Sequence, residues 1–304
     1  MSKKILVVMG GFSAEREVSL VTGKGVAEAL IKSGYNVVAY DLKNGFDFVE
    51  TLKKEKPDVV FNALHGNFGE DGEIQGMLDI LQIPYTHSGL KMSALGMDKN
   101  LTKMVAEQNH IKVAESQKMT FAVFKKTGTE IEMPYVVKPV SDGSSVGVFI
   151  VKNKEDKSKV IYDDDAKEIM VEKFIEGQEL TVAVLEGKAL GVTEMRPKVD
   201  FYDYKAKYTD GMTKHLLPAE IPNEAAEQAK KYAEILHQAL ACNTISRSDF
   251  RYNKKDGVVL LEINTNPGMT PLSLVPEQAK FAGISYEKVC AILVENAKCR
   301  SLDN

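Results

Sequence analysis

Five consecutive apolar residues, Ile5-Leu6-Val7-Val8-Met9, stop at a glycine pair, Gly10-Gly11, and a helical pattern over 17–32 follows. An apolar run without alternation reads as a strand buried on both faces, which demands a parallel sheet covered by helices. The pattern repeats with a strand over 36–41, a helix over 46–54 and a strand over 58–64. A Gly-rich loop, His65-Gly66-Asn67-Phe68-Gly69-Glu70-Asp71-Gly72, then leads into a helix over 73–81. This alternation predicts an open parallel α/β sheet with ligands beyond the carboxyl ends of its strands.

The rhythm then changes. One long helix is expected over 90–109, then strands over 135–139, 148–151, 168–174 and 179–186, an α+β arrangement. Residues 192–222 show little periodicity but carry Phe201, Tyr202, Tyr204 and Tyr208, the pattern of a lid or a disordered segment. A helix over 223–240, a hairpin and two further helical stretches follow. The length of 304 residues suggests two domains or three small ones. With 39 basic against 43 acidic side chains, the net charge of −4 argues against a dedicated nucleic-acid binder. The longest apolar run, 289–294, has six residues, whereas a membrane span needs about 20. The opening lysines precede too short an apolar stretch for a signal peptide. Cys242, Cys290 and Cys299 lack metal-ligand spacing, so a cytoplasmic location with reduced thiols is expected.

The segment from Thr244 to Asn266 is the most informative. Strands over 246–253 and 258–264 flank Lys254-Lys255-Asp256-Gly257, a four-residue hairpin loop. Pairing Asn253 with Val258 sets Arg251 opposite Leu260, Asp249 opposite Glu262 and Arg247 opposite Asn264. Arg247, Asp249, Glu262 and Asn264 then share one face, and Phe250, Tyr252, Val259, Leu261 and Ile263 form the core face. Two carboxylates and a carboxamide suit Mg²⁺, which takes one or two carboxylates plus substrate phosphates. Arg247 beside them favours an anion. A solvated face with an Arg–carboxylate pair is the alternative.

Elsewhere, Lys138 ends a strand and a hydroxyl-rich glycine loop, Ser141 to Gly147, follows it; such a loop can cradle phosphate or be an ordinary turn. There is no Walker A spacing and no convincing GxGxxG after a strand. In Glu172-Lys173-Phe174-Ile175-Glu176-Gly177-Gln178-Glu179, a linker backbone can read an adenine edge while Glu179 accepts from ribose hydroxyls; a β-turn fits equally. His65 at a strand end can be purely structural. Glu15 can simply stabilise the start of a helix.

Read in order, several stretches together resemble the D-alanine–D-alanine ligase branch of the ATP-grasp superfamily. They are Gly10-Gly11 through Ser13-Ala14-Glu15-Arg16-Glu17-Val18-Ser19, then Ala63-Leu64-His65-Gly66 with Gly69-Glu70-Asp71-Gly72, and Ser93-Ala94-Leu95 with Met97-Asp98-Lys99. Lys138-Pro139 with Gly143-Ser144-Ser145-Val146-Gly147, and Phe201-Tyr202-Asp203-Tyr204 with Lys207-Tyr208, continue the series. Glu262-Ile263-Asn264-Thr265, Pro267-Gly268-Met269-Thr270 and Ser273-Leu274-Val275-Pro276 complete it. The matches span nearly the whole chain. Two stretches depart from the family pattern, Asn67-Phe68 where many relatives carry a basic residue, and Ser246-Arg247-Ser248-Asp249 in place of a glycine-first strand.

The resemblance implies an N-terminal open parallel α/β lobe (1–96) followed by a two-lobed ATP-grasp fold, with a central lobe (97–180), a C-terminal lobe (181–304) and a lid over about 193–222. It implies ATP held by Lys99, Lys138, Ser145, Glu172, Lys173, Ile175, Glu179, Phe201 and Lys207. It also implies two Mg²⁺ ions, replaceable by Mn²⁺, on Asp249, Glu262 and Asn264. In the implied reaction one D-alanine becomes an acylphosphate and the amine of a second displaces phosphate. Glu15, Ser144, Tyr208 and His65 would serve the first D-alanine. Arg247 and Gly268 would stabilise the oxyanion, and Ser273 and Leu274 would hold the second carboxylate. Tyr208, where ester-forming relatives carry phenylalanine, implies the dipeptide over an ester with D-lactate. A homodimer without nucleic-acid or membrane partners is implied too. A non-catalytic nucleotide-binding protein would usually have lost Glu15 or a metal ligand, and this chain retains them.

Overall fold

The N-terminal apolar run does form a buried central strand. In the computed structural model, which describes residues 2–143, 146–197, 213–270 and 272–301, β1 (Lys4–Gly10) leads into α1 (Arg16–Lys32), β2 (Asn36–Leu42), α2 (Gly45–Glu55) and β3 (Val59–Asn62). The strand order is β2-β1-β3, all parallel, with Ile5 paired to both Val37 and Val59. Ile5, Leu6, Val7 and Val8 are fully buried because both sheet faces are covered. Val26 and Leu30 of α1 pack on one face, and Phe48 and Leu52 of α2 on the other, where Leu78 of α3 (Glu73–Ile80) joins them.

α4 (Leu90–Met97) and α5 (Lys99–Gln108) precede an antiparallel sheet. It is built from β4 (Ser116–Thr120), β5 (Tyr135–Pro139), β6 (Phe149–Val151) and β7 (Glu168–Lys173) in the order β4-β7-β5-β6. The short helices α6 (Phe121–Thr127) and α7 (Lys154–Ser158) lie between its strands. A second antiparallel sheet follows, made of β8 (Gln178–Leu185), β9 (Lys188–Ala189), β10 (Thr193–Pro197), β11 (Thr213–Leu216), β12 (Ile245–Asn253) and β13 (Gly257–Asn264). Its order is β11-β10-β8-β12-β13, with β9 paired to β8. α8 (Asn223–Ala239) lays Ala229, Ala233 and Leu236 against Val182, Val184 and Phe250 of that sheet. α9 (Leu274–Phe281) and α10 (Tyr286–Glu295) complete the chain, and Leu293 and Val294 of α10 join the core beneath β1 and α1. The first and last segments therefore share one core, which fixes the N-terminal sheet relative to β8 and β12.

Three expectations are corrected. The long helix over 90–109 is two helices, because the Asp98 side chain accepts from the backbone N–H of Asn100 and Leu101 and caps α5. An aspartate that satisfies the first orphan N–H groups starts a new helix at that point, and it leaves Lys99 at the first helical position. The aperiodic stretch 192–222 contains sheet at both ends, since β10 pairs with β8 and with β11. The alternation there is hidden because Glu194 is buried, its carboxylate bridged by the Arg196 guanidinium at 2.5 and 3.1 Å.

The hairpin is the third. Asn253 pairs with Gly257, so the loop is Lys254-Lys255-Asp256, one residue shorter than expected, with Asn253 Oδ1 accepting from the N–H of Lys255 and Asp256. Near the turn the register is therefore shifted by one, and Arg251 faces Val259. A bulge then intervenes. Phe250 faces Leu260 but Asp249 faces Glu262, leaving Leu261 as the extra residue and restoring the expected pairing of Arg247 with Asn264. The shift moves Val259 off the core face, where it packs with Ile175, and Leu261 into the cleft.

Candidate active site

A cavity of about 1440 Å³ opens where the three sheets meet. Glu15 and His65 reach it from the N-terminal sheet, and Lys138, Glu172, Lys173 and Ile175 from the first antiparallel sheet and the linker after it. Glu179, Arg247, Asp249, Glu262 and Asn264 enter from the second antiparallel sheet, Lys99 from α5, and Gly268, Ser273 and Leu274 from the turn into α9. Every expected site residue among the described ones thus lines one space. Ser144, Ser145, Phe201, Lys207 and Tyr208 lie outside the described residues.

One wall is cationic. Lys99 Nζ donates to the Asp142 carbonyl at 2.6 Å and stands 3.6 Å from Glu262 Oε2. Burial pulls its pKa below the ordinary lysine range, and the facing Glu262 partly opposes this. Lys138, at the end of β5, stands 2.6 Å from Glu172 Oε1, while Glu172 Oε2 lies 2.6 Å from Lys103 Nζ. Burial resists ionisation of Glu172, but the two ammonium groups prevail and hold its carboxyl below the usual range. Lys103 was not expected here. Its spacing of four from Lys99 on one helix was the available signal, since such residues share a face.

The opposite wall is acidic. Arg247 grips Asp249 through two bonds, Nε to Oδ1 at 3.1 Å and Nη2 to Oδ2 at 3.0 Å. Thr181 on β8 adds a third bond to Asp249 Oδ1 at 2.5 Å. Arg251 holds Glu179 at 2.9 Å. Asn264 Oδ1 accepts from the Asn266 N–H at 2.9 Å, and Asn266 Nδ2 reaches the Leu64 carbonyl at 2.9 Å, tying this wall to the end of the N-terminal sheet. Among the described residues no group of three or more His, Cys, Asp or Glu gathers as metal ligands. The donors on this face are two carboxylates and an amide.

At the N-terminal end, Glu15 precedes α1 with its carboxylate against Gly66 and Gly143; a Cβ on either glycine would lie 3.3 Å from Oε1. His65 bridges Thr22 Oγ1 (2.9 Å) and Glu70 Oε1 (3.0 Å), a relay that had not been expected. Burial raises the Glu70 pKa, His65 opposes it, and the nearby Glu15 adds to it. At the far end, Ser273 Oγ accepts from the Thr270 N–H at 3.0 Å, and Leu274 opens α9. An uncapped helix start offers its N–H to a carboxylate.

Lysines from α5 and one antiparallel sheet facing carboxylates on another across a single cleft, beside a parallel α/β sheet, make up the ATP-grasp arrangement. The D-ala D-ala ligase C-terminus family matches residues 99–295, and the D-ala D-ala ligase N-terminus family matches residues 43–88. A D-alanine–D-alanine ligase of Zymomonas mobilis is 49% identical, over 97% of this chain and 94% of the relative, and one of Rhodospirillum rubrum is 48% identical, over 98% and 99%. The crystal structure of D-alanine–D-alanine ligase from Bacillus anthracis complexed with ATP superposes with a TM-score of 0.82 at 34% identity, covering 97% of both chains. The VanG D-Ala:D-Ser ligase of Enterococcus faecalis gives 0.80 at 27% identity, covering 97% of this chain and 99% of that one. The chain belongs to the D-alanine–D-alanine ligase family.

Proposed function

We propose that the protein joins two D-alanine molecules to D-alanyl-D-alanine, converting ATP to ADP and phosphate, and so supplies a peptidoglycan precursor. The observation that carries this reading is the meeting in one cavity of Glu15, the lysine wall and Arg247 in a chain of this family. The nucleotide lies between the two antiparallel sheets. Lys99 and Lys138 hold its phosphates, Glu172, Lys173 and Ile175 line the base pocket, and Glu179 accepts from the ribose. Ser145, Phe201 and Lys207 belong to the same set.

Asp249, Glu262 and Asn264 fit a divalent cation, because two carboxylates and an amide oxygen leave coordination positions for phosphate oxygens. When bound, two Mg²⁺ ions, or Mn²⁺ in their place, neutralise phosphate charge.

Glu15, assisted by Ser144, Tyr208 and His65, anchors the ammonium of the first D-alanine. The carboxylate of that D-alanine attacks the γ-phosphorus, giving an acylphosphate and ADP. Ser273 Oγ and the Leu274 N–H hold the carboxylate of the second D-alanine, and its amine attacks the acyl carbonyl. Arg247 and the Gly268 N–H take up the charge of the tetrahedral oxyanion, and phosphate leaves. Excluding water from the cavity protects the acylphosphate from hydrolysis.

Lobes over 1–96, 97–180 and 181–304 would enclose this cleft in a cytoplasmic homodimer. Incubation with ATP, Mg²⁺ and D-alanine, with D-serine, D-lactate and L-alanine as competing substrates, tests the reading. Mass spectrometry is expected to find D-alanyl-D-alanine as the main product. ADP release independent of D-alanine, or a mixed product in excess, would contradict it.

A further inference from the structure

Lys103 is a buried cation to which the proposed chemistry gives no role. It lies on α5 one turn beyond Lys99, is 4% exposed, and stands 2.6 Å from Glu172 Oε2 and 3.1 Å from the Ala114 carbonyl. The other Glu172 oxygen is 2.6 Å from Lys138 Nζ. One carboxylate, itself buried, therefore serves two ammonium groups. The two lysines differ in placement, since Lys138 lines the cavity whereas Lys103 sits behind Glu172, outside the lining.

Removing one member of a buried ion pair strands the remaining charge at a cost well above the worth of a surface pair. Were Lys138 the sole partner of Glu172, its ammonium could reach a ligand only by leaving a bare carboxylate behind. With Lys103 in place the carboxylate stays paired. We infer that Lys103 is a positioning residue whose charge keeps Glu172 compensated, so that the Lys138 ammonium can pass from Glu172 Oε1 to a phosphate oxygen of the incoming nucleotide. This rests on the reading of the cleft as a nucleotide site.

The test is equilibrium titration of the whole protein with ADP and Mg²⁺, alongside KM values for ATP and D-alanine. Lys103→Met should weaken ADP binding by about 10-fold or more, the scale of a lost charged hydrogen bond, and raise the KM for ATP far more than that for D-alanine. Lys103→Arg, which keeps the charge and the fold, should recover part of the loss. The double variant Lys103→Met/Glu172→Gln should bind ADP more tightly than Lys103→Met alone, because no carboxylate then retains Lys138. A merely structural lysine would instead make the double variant equal or worse. Wild-type affinity in Lys103→Met, or no recovery in the double variant, would overturn the inference. Failure of the unaltered protein to bind ADP, or undiminished binding by Lys138→Met, would instead overturn the nucleotide reading beneath it.

Discussion

The two walls of the cleft handle charge in opposite ways. On the lysine wall three cations are engaged within the protein, Lys99 by the Asp142 carbonyl and Glu262, Lys138 and Lys103 by Glu172, and these three are nearly buried. On the acidic wall Asp249 is held by Arg247 and Thr181, but Glu262 keeps a third of its side-chain surface exposed toward the cavity. The lesson is a division of labour. On the proposed function, the buried wall would hold positive charge against an internal counter-ion until a phosphate arrives, and the exposed wall would present oxygen atoms to a cation.

Because of that contrast, the walls should fail differently. The largest effect is expected on the acidic side. Glu262→Gln should remove most turnover, beyond the roughly 10–100-fold cost of losing an outer partner of a metal ligand, with an unchanged circular dichroism spectrum; a coupled ADP assay reads the loss. Arg247→Ala should lower kcat by roughly 10²–10³-fold, the scale of losing one oxyanion donor, while ADP binding persists by titration.

Glu70→Gln should have a smaller effect, visible chiefly against pH. The raised Glu70 pKa means that its carboxylate gains a proton above the usual carboxylate range as pH falls. If its ionised form supports His65, kcat/KM for D-alanine should fall on that acid limb, and Glu70→Gln should flatten the limb.

The smallest effect concerns stability. The Glu172 carboxyl is held below its usual range in the folded protein. Its ionisation therefore contributes stability above the unfolded carboxylate pKa, and that contribution is lost as pH falls through the folded value. A Tm-against-pH series should accordingly show a shallower acid decline for Glu172→Gln than for the unaltered chain.

The walls also differ in how far they could be read from the chain itself. The acidic face was legible because alternation along two strands places Arg247, Asp249, Glu262 and Asn264 together. That pairing survives only because a loop one residue short is cancelled by a bulge at Leu261. Neither irregularity leaves a local mark in the sequence, so alternation alone puts Val259 and Leu261 on the wrong face. On the lysine wall Lys138 was legible from its strand end and glycine loop. Lys103 was not, because its partner is 69 residues distant and a lysine on an amphipathic helix normally points to water. The break at Asp98 hid the same region, since the flanking apolar pattern runs on as if one helix continued. The relay of Thr22, His65 and Glu70 depends on α1 crossing the end of β3, a tertiary placement that no spacing encodes.

The central claim, that a D-alanine carboxylate attacks ATP before the peptide bond forms, is tested most directly by isotope transfer. D-alanine carrying ¹⁸O in its carboxylate, incubated with the protein, ATP and Mg²⁺, should deliver one ¹⁸O atom to each phosphate released, read by mass spectrometry. Phosphate without label, released in step with ADP, would mean that water and not the amino acid attacks the nucleotide, and would contradict the account.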